Sequence, residues 1–229
     1  MNNSHTTRRA VATKQFGAEP EDIEMKQIIT LIAGFTSVLL GPITWAADYR
    51  DGGEKFGSAK TTMTMSDDLA NRSPEIHWPT GFDPSKADLF SHNEIVINAP
   101  CERVWQHIID ATKWPQWYPN SKDVRIIGDG PVLAADAVFR WSTFGLSIES
   151  KINEFAPYTR IGWYGYAPGT APSFYHTWLL TPTGDTCRVV TDEVGTGKDA
   201  AHLRETDESL MHRGHDLWLA TLKWISEGQ

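Results

Sequence analysis

One histidine and one carboxylate stand out as a pair that can move protons. His176 and Glu193 lie in two successive segments that alternate like β-strands, 174–180 and 187–194, and both share the phase of the large apolar residues. A buried carboxylate beside an imidazole can form a general acid/base couple in which the histidine titrates near neutral pH. The same pair can instead hydrogen-bond a ligand, or orient its neighbours at the end of a sheet. The sequence leaves these three roles open.

Three further histidines, His202, His212 and His215, lie near the end of the chain. His212 and His215 are three residues apart and Asp216 follows, a spacing that can place metal ligands on one helix face. However, Arg213 and Asp216 are typical of a solvated face, and no third ligand is evident. We therefore predict no metal site. No cofactor-binding motif is present either, so we also predict no cofactor.

The segments that hold these residues belong to a series of short elements. An alternating segment over 92–98 is followed by two short helices, predicted over 101–110 and 112–118 from helical spacing and flanking prolines. One long helix is predicted over about 200–226, with apolar residues at steps of three and four. Between them lie six strand-like segments separated by Gly/Pro turns: 123–127, 137–144, 146–155, 160–166, 174–180 and 187–194.

Alternate residues of a strand share a face, and we predict that the apolar or aromatic phase faces the interior. In 160–166 the phase is ambiguous, since either Ile161 and Trp163 or Tyr164 and Tyr166 can face inward. The residues predicted to line a ligand site are Phe139, Trp141, Thr143, Ile148, Trp163, Tyr164, Tyr166, His176, Trp178, Thr191, Glu193, Met211, Gly214 and Trp218. Also predicted to point inward are Leu146, Ser150, Ile152, Phe174, Leu180, Cys187 and Val189. An aromatic wall with a few hydrogen-bonding groups is typical of small-molecule sites, although the same residues can form a solid core.

The order strand, two short helices, six strands and long helix resembles the START-like superfamily, also described as the polyketide cyclase/dehydrase and lipid-transport or SRPBCC superfamily. The resemblance covers residues 90–229. It is carried by HNEIVINAPCERVWQHIIDATKWPQWYPNSKDV at 92–124 and by RVVTDEVGTG at 188–197.

That resemblance implies an α+β helix-grip fold, in which a seven-stranded antiparallel sheet wraps around a long C-terminal helix and a cavity lies between them. Two short helices follow the first strand. Members include pollen-allergen-like binders, lipid carriers, quinone-binding proteins and aromatase/cyclases, so the fold alone does not imply a reaction.

We therefore expect a binding protein or carrier for a small hydrophobic or aromatic molecule, with lipids included. A first alternative is a cyclase/dehydrase-type enzyme that acts on a polyketide-like substrate in the same cavity, with His176, Glu193 or a tyrosine moving protons. A second alternative is an interaction module with a solid core and no ligand.

The resemblance also bears on the two cysteines, Cys101 and Cys187. In a START-like sheet the first strand lies antiparallel beside the last, so the end of the first, near Ala99, meets the start of the last. A disulfide is then within reach. By chain entropy it would stabilise the fold by about 4 kcal/mol. The alternative is two buried thiols that behave as small apolar groups.

A secretory signal is predicted over 25–46. Met25 and Lys26 precede an apolar run over 28–40, and small residues then stand at the third and first positions before a cut after Ala46. The run is short for a membrane span, which needs about 20 residues. We therefore expect a periplasmic or secreted protein without a stable membrane span after signal cleavage.

The remaining segments are a prefix and an arm. Residues 1–24 are polar and patternless, and we interpret them as a start-site artefact or a disordered prefix. Residues 47–89 are predicted to be an arm that is flexible up to Ser73 and whose second half is packed on the domain of 90–229. The net charge of −8 and the scattered Lys and Arg exclude a nucleic-acid-binding face. The expected partner is a small hydrophobic molecule, and no oligomeric state is predicted.

Overall fold

The computed structural model describes residues 62–228, so the predicted signal, the prefix and the first part of the arm lie outside the described residues. The strands are β1 (Leu89–Ile97), β2 (Lys122–Ile127), β3 (Val138–Thr143), β4 (Leu146–Ala156), β5 (Arg160–Tyr166), β6 (Phe174–Thr183) and β7 (Thr186–Gly195). The α-helices are α1 (Met65–Asn71), α2 (Cys101–Ile109), α3 (Lys198–Asp207) and α4 (Leu210–Ser226). Two 3₁₀ helices cover Pro84–Lys86 and Ala111–Gln116.

The strands form one seven-stranded antiparallel sheet in the order β1-β7-β6-β5-β4-β3-β2. Helices α2 and α4 contribute to the core on one face of this sheet, which we call the inner face. The predicted α+β helix-grip architecture is confirmed. The long crossover from β1 to β2 runs through α2 and the second 3₁₀ helix, and it leaves β1 free to pair with β7.

The C-terminal region differs from the prediction of one helix over 200–226. It forms α3 and α4, with a break at Glu208 and Ser209. The Ser209 hydroxyl donates to Asp207 Oδ1 at 3.2 Å, and Arg213 donates to both of these side chains. Short polar side chains that bond locally compete with helical hydrogen bonding, which explains why the helix ends here.

Helix α1 was not predicted, because the sequence pattern indicated a flexible arm up to Ser73. A reciprocal capping box starts the helix: Thr64 N–H donates to Asp67 Oδ2 at 3.0 Å, and Asp67 N–H donates to Thr64 Oγ1 at 3.3 Å. The buried carboxylate of Asp68 lies 2.8 Å from His212 Nδ1 on α4. Local capping and one distant ion pair therefore order a segment that has few apolar residues.

Residues 62–88 form a strap that covers the face of the sheet opposite to α4, which we call the outer face. Its helix α1 also reaches α4, past the edge strand β1, through the contact of Asp68 with His212. Phe82 packs with Phe90, Tyr175 and Val194 in one small cluster, and Ile76 packs in another with strands β6 and β7. Consequently residues 175–180 of β6 are buried in succession, on both faces of the sheet. This explains why the polar and apolar residues of that strand do not alternate cleanly.

A disulfide joins Cys101 to Cys187, with 4.9 Å between their Cα atoms. In the antiparallel register Ile97 is the partner of Cys187, so the end of β1 brings the first residue of α2 to the start of β7. The bond links α2 directly to β7, the strand next to the edge strand β1.

Candidate functional site

The space between the inner face and α4 is filled at its centre by aromatic rings. Trp218 of α4 lies 5.1 Å from both Trp114 and Trp178, measured between ring centroids, and it stacks on Tyr118 at 4.3 Å. Trp163 packs against Trp114 in the same group. The resemblance implied an open cavity at this place. The rings occupy it instead, because five tryptophans, with Trp141 as the fifth, converge from the sheet, the second 3₁₀ helix and α4.

Most of the predicted lining residues are buried. These are Phe139, Trp141, Thr143, Trp163, His176, Trp178, Thr191, Met211, Gly214 and Trp218, while Ile148 and Glu193 are half-buried. Met211 lies outside the tryptophan group, in a cluster with Leu89 and Ala200.

Three inward assignments are wrong. Tyr164 packs on Phe82 and Tyr175 at the outer face, and Tyr166 shares its phase. Trp163 takes the inner position of β5 because its larger ring fills the central group. Leu146 is 57% exposed, since it lies at the tip of the β3–β4 hairpin, beyond the edge of the core.

A polar cluster lies on the inner face beside these rings. In the register of the sheet, Ser91 of β1, Glu193 of β7 and His176 of β6 are successive cross-strand partners. His215 of α4 approaches from above, and its ring stacks on that of His176 with 4.6 Å between centroids. We call His176, Glu193 and His215 the histidine cluster.

The contacts within the cluster differ from the predicted pair. His215 Nε2 lies 3.1 Å from Glu193 Oε2, and its Nδ1 lies 2.8 Å from Ser91 Oγ. His176 Nε2 lies instead 2.7 Å from the hydroxyl oxygen of Thr191. The imidazole in contact with Glu193 is therefore that of His215. His176 is a third member, which contacts His215 through the face of its ring.

Sequence reasoning missed His215 because its neighbours Arg213 and Asp216 suggested a solvated helix face. A signal was present, since positions 211, 215, 218 and 222 follow one another at steps of four, three and four, and all four are buried. His212 is directed elsewhere: its Nδ1 lies 2.8 Å from Asp68 and its Nε2 lies 3.4 Å from Asp216. The two histidines thus belong to different sites.

Burial controls the electrostatics of the cluster. It lowers the pKa of His176 well below 6.5, and the nearby His215 lowers it further, so this imidazole is neutral at neutral pH. Burial likewise raises the pKa of Tyr118 to about 12, which keeps its phenol protonated. The side chain of Glu193 is 18% exposed and faces the solvent edge of the cluster. The site therefore offers neutral hydrogen-bonding groups inside and a carboxylate at the mouth.

Residues 91–210 match the family model described as polyketide cyclase / dehydrase and lipid transport. The chain belongs to this family. The matched segment includes β1 from Ser91 onward, all of β2 to β7, and the His176 and Glu193 members of the histidine cluster, whereas His215 lies beyond its end.

Several solved structures are similar to this chain. A hypothetical protein from Helicobacter pylori is 29% identical with a TM-score of 0.62, and the alignment covers 68% of this chain and 98% of that one. The Zhui aromatase/cyclase from Streptomyces sp. R1128 is 17% identical with a TM-score of 0.48, covering 60% and 93%. A protein from Chromobacterium violaceum is 15% identical with a TM-score of 0.47, covering 61% and 98%. No curated protein matches the chain.

The tip of the β3–β4 hairpin contacts α4. Phe144 has a left-handed backbone, with φ of 50°, and its ring rests on α4. A Cβ atom at Gly214 would lie only 2.4 Å from Phe144 Cζ, so glycine is required for this close approach. Gly214 immediately precedes His215 in α4, so the hairpin tip contacts the helix close to the cluster in sequence.

Two clefts open at the surface. One of about 480 Å³ lies between α1, β1 and α4, and its walls include Asp68, Asn93, His212 and Asp216. The other, of about 320 Å³, lies along strands β2, β3 and β4. Burial alone would lower the pKa of His212, but hydrogen bonds to Asp216 and Asp68 and their charges raise it to about 9. This protonated histidine joins α1 to α4.

Proposed function

We propose that the domain binds a small apolar molecule that carries a polar group, between the inner face and α4, as a binding protein or carrier. Membership of a family described by lipid transport supports this, as does the aromatic wall beside a polar cluster. The observation that carries the proposal is the indole N–H of Trp178. It is fully buried beside His176 and has no hydrogen-bond partner among the described residues. A buried donor left unpaired costs about 1–3 kcal/mol, which a ligand acceptor would offset.

Entry requires the hairpin tip to move. Phe144, Leu146 and Leu217 are 44%, 57% and 38% exposed at the junction of the hairpin with α4. Phe144 and Gly145 form a two-residue turn with positive φ at both positions, beyond the last strand pair, so the tip can move without loss of strand pairing. Because aromatic rings fill the interior, the bound molecule takes the place of Phe144 and the rings next to it. The bound molecule can therefore be no larger than the space that these rings give up.

Binding can be tested with a neutral fluorescent apolar probe, N-phenyl-1-naphthylamine, and by native mass spectrometry of the protein from its own source. We expect saturable one-to-one probe binding and a co-purifying apolar molecule. Trp178→Phe keeps an aromatic ring but removes the indole donor, so the affinity for the co-purified molecule should fall about tenfold. Trp105→Phe is the matched control, because Trp105 is equally buried but packs on Phe155. Absence of both probe binding and a co-purified molecule would reject the proposal.

The alternative, an enzyme of the cyclase/dehydrase kind, is favoured by the chain of contacts from Ser91 through His215 to Glu193. An imidazole held between a hydroxyl and a carboxylate can relay a proton at the mouth of the site. For an enzyme, His215→Gln and Glu193→Gln should abolish turnover while the bound molecule is retained. For a carrier, both variants should change affinity alone.

We also propose that the domain works in the periplasm or outside the cell. The Cys101–Cys187 disulfide supports this, because such bonds persist in oxidising compartments. The signal-like pattern over 25–46 supports it as well. Within residues 62–228, the helices are too short or too polar to cross a membrane. N-terminal sequencing of the exported protein should find a start near Ala47, and thiol titration after denaturation without reductant should find no free thiol. Two free thiols, or an intact Met1 on exported protein, would contradict the proposal.

A further inference from the structure

We propose that the histidine cluster binds one divalent transition-metal ion, and that its two imidazoles and one carboxylate favour zinc. This goes beyond the proposed function, because it does not depend on whether an apolar molecule binds beside the cluster. It also reverses the prediction from the sequence, which considered His212 and His215 together and found no third ligand. Tertiary structure supplies two ligands from the sheet and one from α4.

The ligand atoms are already close together. One potential ligand atom from each of His176, Glu193 and His215 lies within 4.8 Å of the other two. Among the His, Cys, Asp and Glu side chains of residues 62–228, these three form the group whose ligand atoms lie this close together. Zinc sites with two histidines and one glutamate hold the ion through three protein ligands and keep a fourth position open. The donor set of the cluster is of this kind.

The second nitrogen of each ring supports the assignment. Metal-binding histidines generally hydrogen-bond an outer partner through the ring nitrogen that does not touch the metal. His215 Nδ1 lies 2.8 Å from Ser91 Oγ, which leaves Nε2 facing Glu193. His176 Nε2 lies 2.7 Å from Thr191 Oγ1, which leaves Nδ1 for a ligand. Both hydroxyls come from strands β1 and β7, so the outer partners are as firmly placed as the ligands.

Binding an ion requires a small contraction. Zinc lies about 2.0–2.2 Å from nitrogen and oxygen ligands, so the ligand atoms must approach to about 3.4 Å from one another. The Glu193–His215 contact, at 3.1 Å, already meets this requirement. The ring of His176 must rotate away from its stacked position on His215, where the centroids are 4.6 Å apart. Strand register fixes the backbones of Glu193 and His176 opposite each other, so a side-chain rotation is sufficient.

The site is buried but accessible. His176 and His215 are 3% and 4% exposed, whereas the Glu193 side chain is 18% exposed and provides the entry route. Two of the three ligands are imidazole nitrogens in a site that excludes most water. Such a site favours a transition metal, because magnesium and calcium prefer oxygen ligands.

The test uses the full chain, freed of metal with a chelator and then titrated with zinc chloride alone. We expect saturation at one zinc per chain by calorimetry and by metal analysis. Cobalt(II) at the same site should give visible absorption bands typical of four or five ligands. Glu193→Gln and His215→Gln should weaken zinc binding by at least about 10–100-fold and remove these bands. His202→Gln, which removes an exposed histidine of α3, is the matched control and should bind like the parent chain.

Folding is checked for each variant by its thermal unfolding. If a ligand variant does not fold, Ser91→Ala takes its place, because it removes only an outer hydrogen bond and should still weaken zinc binding about tenfold. Failure of the folded parent chain to bind zinc overturns the proposal. So does weak binding at several sites that depends on His202 and not on Glu193. Probe binding by the metal-free chain is measured in parallel, so that failure of the metal site and failure of the apolar site are distinguished.

Discussion

The two faces of the sheet are both covered, but by different kinds of contact. On the inner face, aromatic rings from several parts of the chain pack around Trp218, and the histidine cluster lies beside them. The strap of residues 62–88 is held on the outer face by two small apolar clusters, and its helix α1 is held to α4 by the buried Asp68–His212 ion pair. The inner face therefore depends on packing, and the strap depends partly on charge.

Two histidines show this difference. His176 lies on the inner face, and His212 of α4 is the partner of the strap. His176 is surrounded by rings, and burial lowers its pKa well below 6.5. His212 lies between two carboxylates, whose bonds and charges overcome burial and raise its pKa to about 9. One imidazole is neutral, whereas the other is a cation that pairs with Asp68 of α1.

The largest expected effect is on the inner face. Trp178→Ala should lower the free energy of unfolding by about 3–5 kcal/mol, because the ring is fully buried among Trp218 and His176. The measurement is denaturant unfolding followed by circular dichroism. Trp224→Ala, at a residue 55% exposed, should change stability by less than about 0.5 kcal/mol. A loss under about 1 kcal/mol for Trp178→Ala would mean that the interior is loosely packed and would remove the contrast between the faces.

A smaller effect is expected at the strap, and it should depend on pH. The pKa of His212 is higher in the folded chain than its ordinary value, so its contribution is complete below pH 6.5 and is lost as pH rises through about 9. The contribution is at most on the order of 3 kcal/mol, the equivalent of that shift. The cleft beside His212 also contains His92, Glu94, Arg188 and Asp216.

The pH effect is isolated by comparison with a variant. The difference in unfolding free energy between the parent chain and His212→Gln should be largest at pH 6 and should shrink towards pH 10. Hydrogen exchange should place the loss in α1, because that helix is the partner of His212. A difference that does not change with pH would show that His212 is neutral in the folded chain, and the strap would then be held by packing alone.

The smallest effect concerns the hairpin tip over α4. Gly214→Ala introduces a Cβ atom that would meet Phe144 Cζ at 2.4 Å, but it also favours the helix by about 1 kcal/mol. In the parent chain the two effects should nearly cancel. In a Phe144→Ala background the clash is absent, and Gly214→Ala should stabilise by about 0.5–1 kcal/mol. The double-mutant cycle measures the contact. Equal effects in both backgrounds would show that Phe144 does not rest on Gly214.

Much of the fold follows from local patterns. The strand prediction over 160–166 coincides with β5, and the helix predicted over 101–110 differs from α2 by one residue. Alternation and proline placement act between near neighbours, so a single sequence is enough to show them. The break at Ser209 and the start of α1 were missed, because side-chain bonds from Arg213 and from His212 stabilise them.

The site was predictable only in part. Alternation placed His176, Trp178, Thr191 and Glu193 on one face of the sheet, and the register agrees. His176 was predicted to be the partner of Glu193, but the partner is His215. His215 lies on α4, and the alternation of residues along a strand does not show which side of a helix faces the sheet. Tyr164 was assigned to the wrong face because β5 is apolar in both phases, and the strap that covers its outer face lies far away in sequence.

The sequence by itself determined the order of the elements, the inward phase of most strands and the family, since these depend on periodicity and on short motifs. Tertiary structure alone decided that rings fill the interior, that two sheet residues and one helix residue form the histidine cluster, and that His212 is an ion-pair partner of α1. The physical reason is that packing density, ligand convergence and pKa depend on distances between residues far apart in the chain, and periodicity along one element carries no information about those distances.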